Sequence, residues 1–427
     1  MKRGLTTIPL TLVLLCLLLG AGTVIAGAGD QPIYRPAKQY PVLEEIEAER
    51  AAAAAVRDSL QGLVETRYAE EADRKEETEL ELRLDWSDIK VPESPQVFRA
   101  NWHFPPIPQY YTGTCWAFCS TSFLESEIQR LSGREIKLSE MWTVYWEYVE
   151  KARRFLSECG HSPLEEGSQD HGTLEVYKLY GAVPATAYRG VCDEAGRHDH
   201  TPLRQELHSY LQWVLNNKYW AEEVALANVR QILNRHLGAP PETFVYAGRQ
   251  HTPLTFRDEV VQLDLDDYVS VVSTLRYPFG QYVLLDVPDN WRRKDDYLNL
   301  PLDTFYSLAR EAVKDGYPVT FGGDVSEPGL DGHQDAAVIP SWDIPGKYID
   351  QGSREFRLDN GTTSDDHGTH LVGYKRHQGR DWFLVKDSNR SSRLGSFKGY
   401  YFYEGDYLKL KMLAFMVHVD RLREYLP

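Results

Sequence analysis

Apolar positions repeat with two periods along this chain, and each predicts a different kind of element. Behind Cys115, the residues Phe118, Phe123, Leu124, Ile128 and Leu131 recur at helical spacing, and Gly133 stands where the last turn would close. The spacing predicts a helix opening at Cys115. Residues 202–237 place Leu207, Leu211, Val214 and Leu215 on one face and Val224, Ala227, Ile232 and Leu233 on another, before Gly238-Ala239-Pro240-Pro241 stops the run. That stretch is expected to be mostly helical, and Leu302–Lys314 reads as an amphipathic helix. Tyr268–Thr274, Tyr282–Val287 and Pro318–Gly322 read as strands. From His370 the pattern alternates, turns at Gln378-Gly379 and returns through Trp382 to Asp387, which predicts a hairpin.

Residues 42–84 differ in kind. They are rich in Ala, Glu and Arg, with Ala51–Ala55 in a row and few aromatics, so a solvated helix or pair of helices is expected. The chain thus divides into residues 1–28, an acidic helical segment over 29–94 and a main domain over 95–427, with a helical insertion at about 200–265. Whether 29–94 is a removable inhibitory segment or a charged spacer is open at this level.

The first 28 residues bear on the compartment. Lys2-Arg3 precede an apolar run from Leu10 to Leu19, and Ala26-Gly27-Ala28 offers small residues for cleavage, so a secretory signal peptide is expected. A membrane anchor fits less well, because the run is short and broken by Gly20 and Gly22. The expected localisation is secreted or periplasmic, with no stable membrane insertion after cleavage. The formal charge is −16, and losing Lys2 and Arg3 deepens it to −18, which argues against nucleic acid or an anionic membrane as partner. Without Cys16, four cysteines remain, and Cys159 and Cys192 are candidates for a disulfide in an oxidising compartment.

The chemistry concentrates in two stretches. A thiol in the first turn of a helix sits among unpaired backbone N–H groups, which favours thiolate over thiol. Cys115 is therefore the candidate nucleophile, and Gln109, six residues upstream, can bring a side-chain amide back to stabilise an oxyanion. The second stretch is Asp365-Asp366-His367-Gly368-Thr369-His370. Two histidines three apart suggest metal, but no Glu follows in zincin order and no Cys/His quartet is present, so neither metal nor cofactor is expected. In the predicted hairpin, a polar group on the returning strand can hold His370, and Asp387 is the candidate.

Gln109, Gly113, Cys115, Trp116, Ala117 and Phe118 resemble the motif around the nucleophile of papain-like cysteine peptidases. Leu138-Ser139-Glu140 and the aromatic run through Trp142, Tyr145, Trp146 and Tyr148 are similar to the bleomycin hydrolase and aminopeptidase C branch. The resemblance implies an α+β, papain-like two-lobed fold: a helical lobe carrying Cys115, an antiparallel β-barrel-like lobe carrying His370, and a helical insertion. It also implies hydrolysis of peptide or protein substrates, with Cys115 attacking, His370 passing protons, Asp387 orienting His370, and Gln109 holding the oxyanion. By position in the family, Glu166–His171 should lie near the N-terminal side of the substrate. Cys115 and His370 are 255 residues apart, against about 130 to 150 in papain-like enzymes. The extra helices of the resembled branch account for the excess.

Three departures stand out. Asp387 occupies the place of the family asparagine, and Ser388-Asn389-Arg390 follow where the family continues Ser-Trp-Gly. Position 112, a bridging cysteine in papain, is threonine. The chain stops at Pro427, without the arm that restricts the branch to aminopeptidase action, so endo- or exo-action and oligomeric state are not expected to carry over. Two rivals remain: a thiol acyltransferase of transglutaminase type, which also uses Cys, His and Asp, and a catalytically silent binding protein of the same fold.

Overall fold

The computed structural model describes residues 33–34 and 40–426. The predicted signal peptide, including Cys16, lies outside the described residues. Two compact units separate between Glu81 and Leu82. Among its described residues the first contains one helix, α1 (Pro41–Thr78), none of whose residues is buried. Its Ala- and Glu-rich composition supports a continuous helix of about 57 Å without a packed face.

The second unit begins earlier than position 95, because Leu84, Trp86, Ile89 and Val91 pack with Phe98, Trp382 and Phe402. A short strand β1 (Arg99–Ala100) follows, then the helices α2 (Cys115–Ser132), α3 (Glu140–Ser157) and α4 (His171–Tyr180). α2 starts and stops where its sequence predicts: Gly133 takes φ 71° and returns its N–H to the Gln129 carbonyl. Ser139 caps α3 by accepting from the Trp142 N–H at 3.0 Å. The predicted insertion is α5 (Thr201–Asn217), α6 (Glu222–Leu237), a hairpin of β2 (Phe244–Tyr246) and β3 (Arg249–His251), and a short α7 (Pro253–Phe256). Leu207, Leu211, Val229 and Leu233 from the insertion join Phe123, Ile128, Trp142, Tyr145 and Tyr177 in one helical core.

The sheet uses β4 (Tyr268–Val272), β5 (Gln281–Val283), β6 (Tyr297–Asn299), β7 (Val319–Gly323), β8 (Leu330–Asp331) and β9 (Ala336–Ala337), then β10 (His367–His377), β11 (Arg380–Lys386), β12 (Tyr400–Glu404) and β13 (Met412–His418). Around it stand α8 (Leu302–Lys314), which has the predicted bounds, α9 (Gln351–Asn360) and α10 (Gly405–Lys411). Strands run in the order β5-β6-β4-β13-β7-β10-β11-β12-β9-β8, with β1 against β10. This lobe is an open mixed sheet and not a closed antiparallel barrel: β4 with β6 and β12 with β9 are parallel pairs, and the end strands do not pair with each other. Phe305, Ala309 and Val313 of α8 bury against Val319, Phe321, Leu371, Phe383 and Phe415 to form its core. The strand expected over 282–287 stops at Val283, where the Leu285 carbonyl instead accepts from the Asn290 amide. Cys159 and Cys192 are both free thiols, so the disulfide considered for them is not formed.

Candidate active site

Cys115 is the first residue of α2, half-buried, and follows Thr114 in a non-helical conformation. β10 crosses directly over this turn. A Cβ added to Gly368 would lie 3.3 Å from the Trp116 Cα and 3.6 Å from the Cys119 Cβ, so the strand packs closely on the helix here and a larger residue would require it to give by a few tenths of an ångström. Cys119, one turn on, donates to the Thr369 carbonyl at 2.8 Å, and burial pushes its thiol pKa well up.

Glu166 holds the loop ahead of the helix. Its Oε2 accepts from the Gly113 N–H at 2.8 Å, its Oε1 from the Tyr148 hydroxyl at 2.8 Å, and its carbonyl from the Trp116 indole at 3.0 Å. His200 Nδ1 lies 3.0 Å from the same carboxylate. Burial alone would raise its pKa, but the bonds from His200, Tyr148 and Gly113 hold it below the usual range.

The histidine beside Cys115 is His367, not His370. In the hairpin, His370 lies opposite Lys386, and cross-strand partners share a face. Both side chains reach Ser122: His370 Nδ1 at 2.9 Å and Lys386 Nζ at 2.8 Å. Asp387 follows Lys386 and faces the other way, as does His367, three residues before His370. His367 Nε2 meets Asp387 Oδ1 at 2.9 Å, with both side chains almost fully buried. Burial opposes charge on the His367 ring, but the Asp387 carboxylate and the Cys115 sulfur overcome it and raise its pKa well above normal. With Nε2 committed to Asp387, the ring's interaction with the sulfur falls to Nδ1. His370 goes the opposite way: burial, then the charges of Lys386 and His103, drop its pKa well below normal.

Gln109 is joined to the same strand end. Its backbone N–H donates to the Ser388 carbonyl at 2.9 Å, and its Oε1 accepts from the Ser388 hydroxyl at 2.7 Å. One Nε2 hydrogen goes to the Thr112 carbonyl at 2.7 Å, which leaves the other for a ligand. On the opposite flank, Gln169 Nε2 donates to Asp365 at 2.5 Å. Withdrawal from water and the charge of Asp289 push Asp365 up to about 8, and burial pushes Asp170 to about 6. His171, the first residue of α4, is buried against the Tyr297 hydroxyl at 3.1 Å, and burial drops its pKa to about 3.

The model of the Peptidase C1-like family matches residues 161–426, a span that holds His367 and Asp387. The chain belongs to the Peptidase C1-like family. It is 24% identical over 366 residues to Aminopeptidase C of Lactococcus lactis subsp. cremoris, covering 75% of this chain and 82% of the relative. It is 26% identical over 257 residues to Aminopeptidase C of Listeria monocytogenes and 25% identical over 268 residues to Bleomycin hydrolase of Gallus gallus. Those matches cover 51% and 52% of this chain but only 58% and 59% of the relatives' own lengths. Among solved structures, PepW of Lactobacillus rhamnosis shares the fold at a TM-score of 0.61 and 23% identity, covering 78% of this chain and 83% of that one. Within this Peptidase C1-like chain, strand parity was the signal for His367: once His370 pairs with Lys386, only His367 shares a face with Asp387.

Proposed function

We propose that the chain hydrolyses peptide bonds through an acyl-enzyme on Cys115. The Cys115 sulfur attacks the scissile carbonyl, His367 Nδ1 gives its proton to the leaving amine and then takes one from water, and Asp387 holds the ring at Nε2. The free Nε2 hydrogen of Gln109 and the Cys115 backbone N–H would carry the oxyanion. One observation supports this reading above the others: a single buried imidazole is engaged by Asp387 at 2.9 Å and by the Cys115 sulfur. The Leu10–Leu19 run and the small residues at 26–28 support a secreted or periplasmic site of action. The names of the relatives favour aminopeptidase over endopeptidase action.

The test is labelling with an epoxide or iodoacetamide probe at neutral pH, read by peptide mass, together with release of aminomethylcoumarin from aminoacyl substrates. Cys115 should label faster than Cys119, Cys159 and Cys192, Cys115→Ala should abolish turnover, and His367→Ala should lower it by about 10²–10⁴-fold. Labelling of Cys115 no faster than a free thiol, with no turnover, would leave a silent member of the fold. Amine incorporation outpacing hydrolysis would favour the acyltransferase.

A further inference from the structure

Beside Gln109 the surface opens into a cleft of about 430 Å³, walled by Gln109, Gly113, Glu166, Arg204, Asn389 and Arg390 among others. The acidic groups next to it are already committed. Glu166 is bonded by Gly113, Tyr148 and His200, and Asp387 is held by His367. The cations are not matched in the same way. Arg390 is exposed, and its side chain has no hydrogen-bond or ion-pair partner among the described residues. Arg204 is half exposed and only 3.5 Å from the shared Glu166 oxygen. Arg393 lies within electrostatic range of Asp387 and then Tyr110, and its buried Nε and Nη2 have no hydrogen-bond partner among the described residues. In a chain of formal charge −16, this is a local positive site with unused guanidinium donors.

Its position relative to the chemistry gives it a use. Arg390 is three residues beyond Asp387, and Ser388 between them is bonded to Gln109 through both its hydroxyl and its carbonyl. Asp387 holds His367, the group assigned above to protonate the leaving amine, and the Ser388–Arg390 turn continues directly from it. We propose that this cleft binds a carboxylate on the leaving-group side of the substrate, with Arg390 as the principal specificity residue and Arg204 assisting. Two sources share that chemistry: the free α-carboxylate of a short peptide and an Asp or Glu side chain.

The inference rests on the peptidase reading, so binding and turnover are measured apart. In the Cys115→Ala chain, titration calorimetry compares tetrapeptides ending in a free carboxylate with their C-terminal amides, and amidated peptides carrying Asp with those carrying Asn just after the scissile bond. The carboxylate forms should bind about tenfold tighter, as a charge-assisted bond to an exposed guanidinium allows. Adding Arg390→Gln should close the gap, and Arg390→Lys should restore part of it. A gap only for the free terminus identifies the α-carboxylate, and a gap for Asp over Asn identifies the side chain. Equal affinities throughout, or a gap that survives Arg390→Gln, would overturn the proposal. Release of neutral aminomethylcoumarin by the unmodified chain tests the peptidase reading separately, since that leaving group has no carboxylate.

Discussion

His367 and His370 sit three residues apart on one strand, and that odd offset sends one ring to the sulfur and the other into the interior. The two should respond differently to removal. His367→Ala is expected to lower kcat/KM by about 10²–10⁴-fold, the usual worth of a positioned acid–base group. His370→Asn should leave kcat/KM within about tenfold and cost about 1–3 kcal/mol of stability, the penalty for disturbing the buried Ser122 and Lys386 contacts. Paired kinetics and denaturant melts separate these outcomes. Asp387→Asn tests the electrostatics. The carboxylate raises the His367 pKa, so its loss should move the alkaline limb of kcat/KM to lower pH. The sign for stability agrees. A histidine with a raised folded pKa stabilises fully below its unfolded value and loses that contribution as pH rises through the folded value, so the variant should lose most near and below pH ~6.5. At this scale the offsets that single out Cys115, Gln109 and Asp387 lead to neighbours: Asp387 and the Cys115 sulfur both engage His367, and Gln109 bonds Ser388. The histidine was misplaced because choosing between 367 and 370 requires the hairpin register, which alternation alone leaves undetermined.

Helices whose ends carry their own chemistry were the most legible elements. α2 begins at Cys115 and ends at Gly133, and α8 spans its predicted Leu302–Lys314, because each has a stop signal and one apolar face. The sheet was less so: β6 and β9 are two or three residues long and join parallel partners far away in sequence, and nothing local encodes such a pairing. Two glycines at the ends of the nucleophile segment separate stability from function. A Cβ on Gly133 meets nothing within 4 Å, but the residue holds φ 71°, so Gly133→Ala should cost about 1–2 kcal/mol through the backbone and leave kcat/KM unchanged. Gly113→Ala would bring a Cβ to 2.9 Å from the Glu166 Cβ and displace the clamp on the nucleophile loop. That variant should lose activity well before it loses its melting transition, and circular dichroism melts alongside turnover would show whether the two diverge.

Across the whole molecule, the long separation between Cys115 and His367 has a structural explanation: α5, α6 and the β2–β3 hairpin occupy it and bury their apolar faces in the helical core. The lobes are also tied by charge. Glu147 on α3 is fully buried and takes Arg292 in a two-pronged pair, with Trp291 and Ser168 bonded to the same carboxylate. Burial would raise its pKa, yet Arg292 holds it down to about 2. Arg292→Ala would strand that charge, so a loss of about 3–5 kcal/mol is expected in chemical denaturation. No comparable loss is expected at the N-terminal unit. α1 has no buried residue, and the core packing of Leu84, Trp86, Ile89 and Val91 starts beyond the unit boundary at Glu81. A helix without a packed face contributes little to the cooperative transition of a neighbouring core. A chain starting at Leu82 should therefore melt within about 2 °C of the longer form, since about 1 kcal/mol shifts the midpoint of a large domain by only 2–4 °C. Its kcat/KM distinguishes the two roles left open for the segment: unchanged turnover makes α1 a spacer, and a clear rise makes it an inhibitory segment. A drop in melting temperature of 10 °C or more would contradict the independence of the second unit.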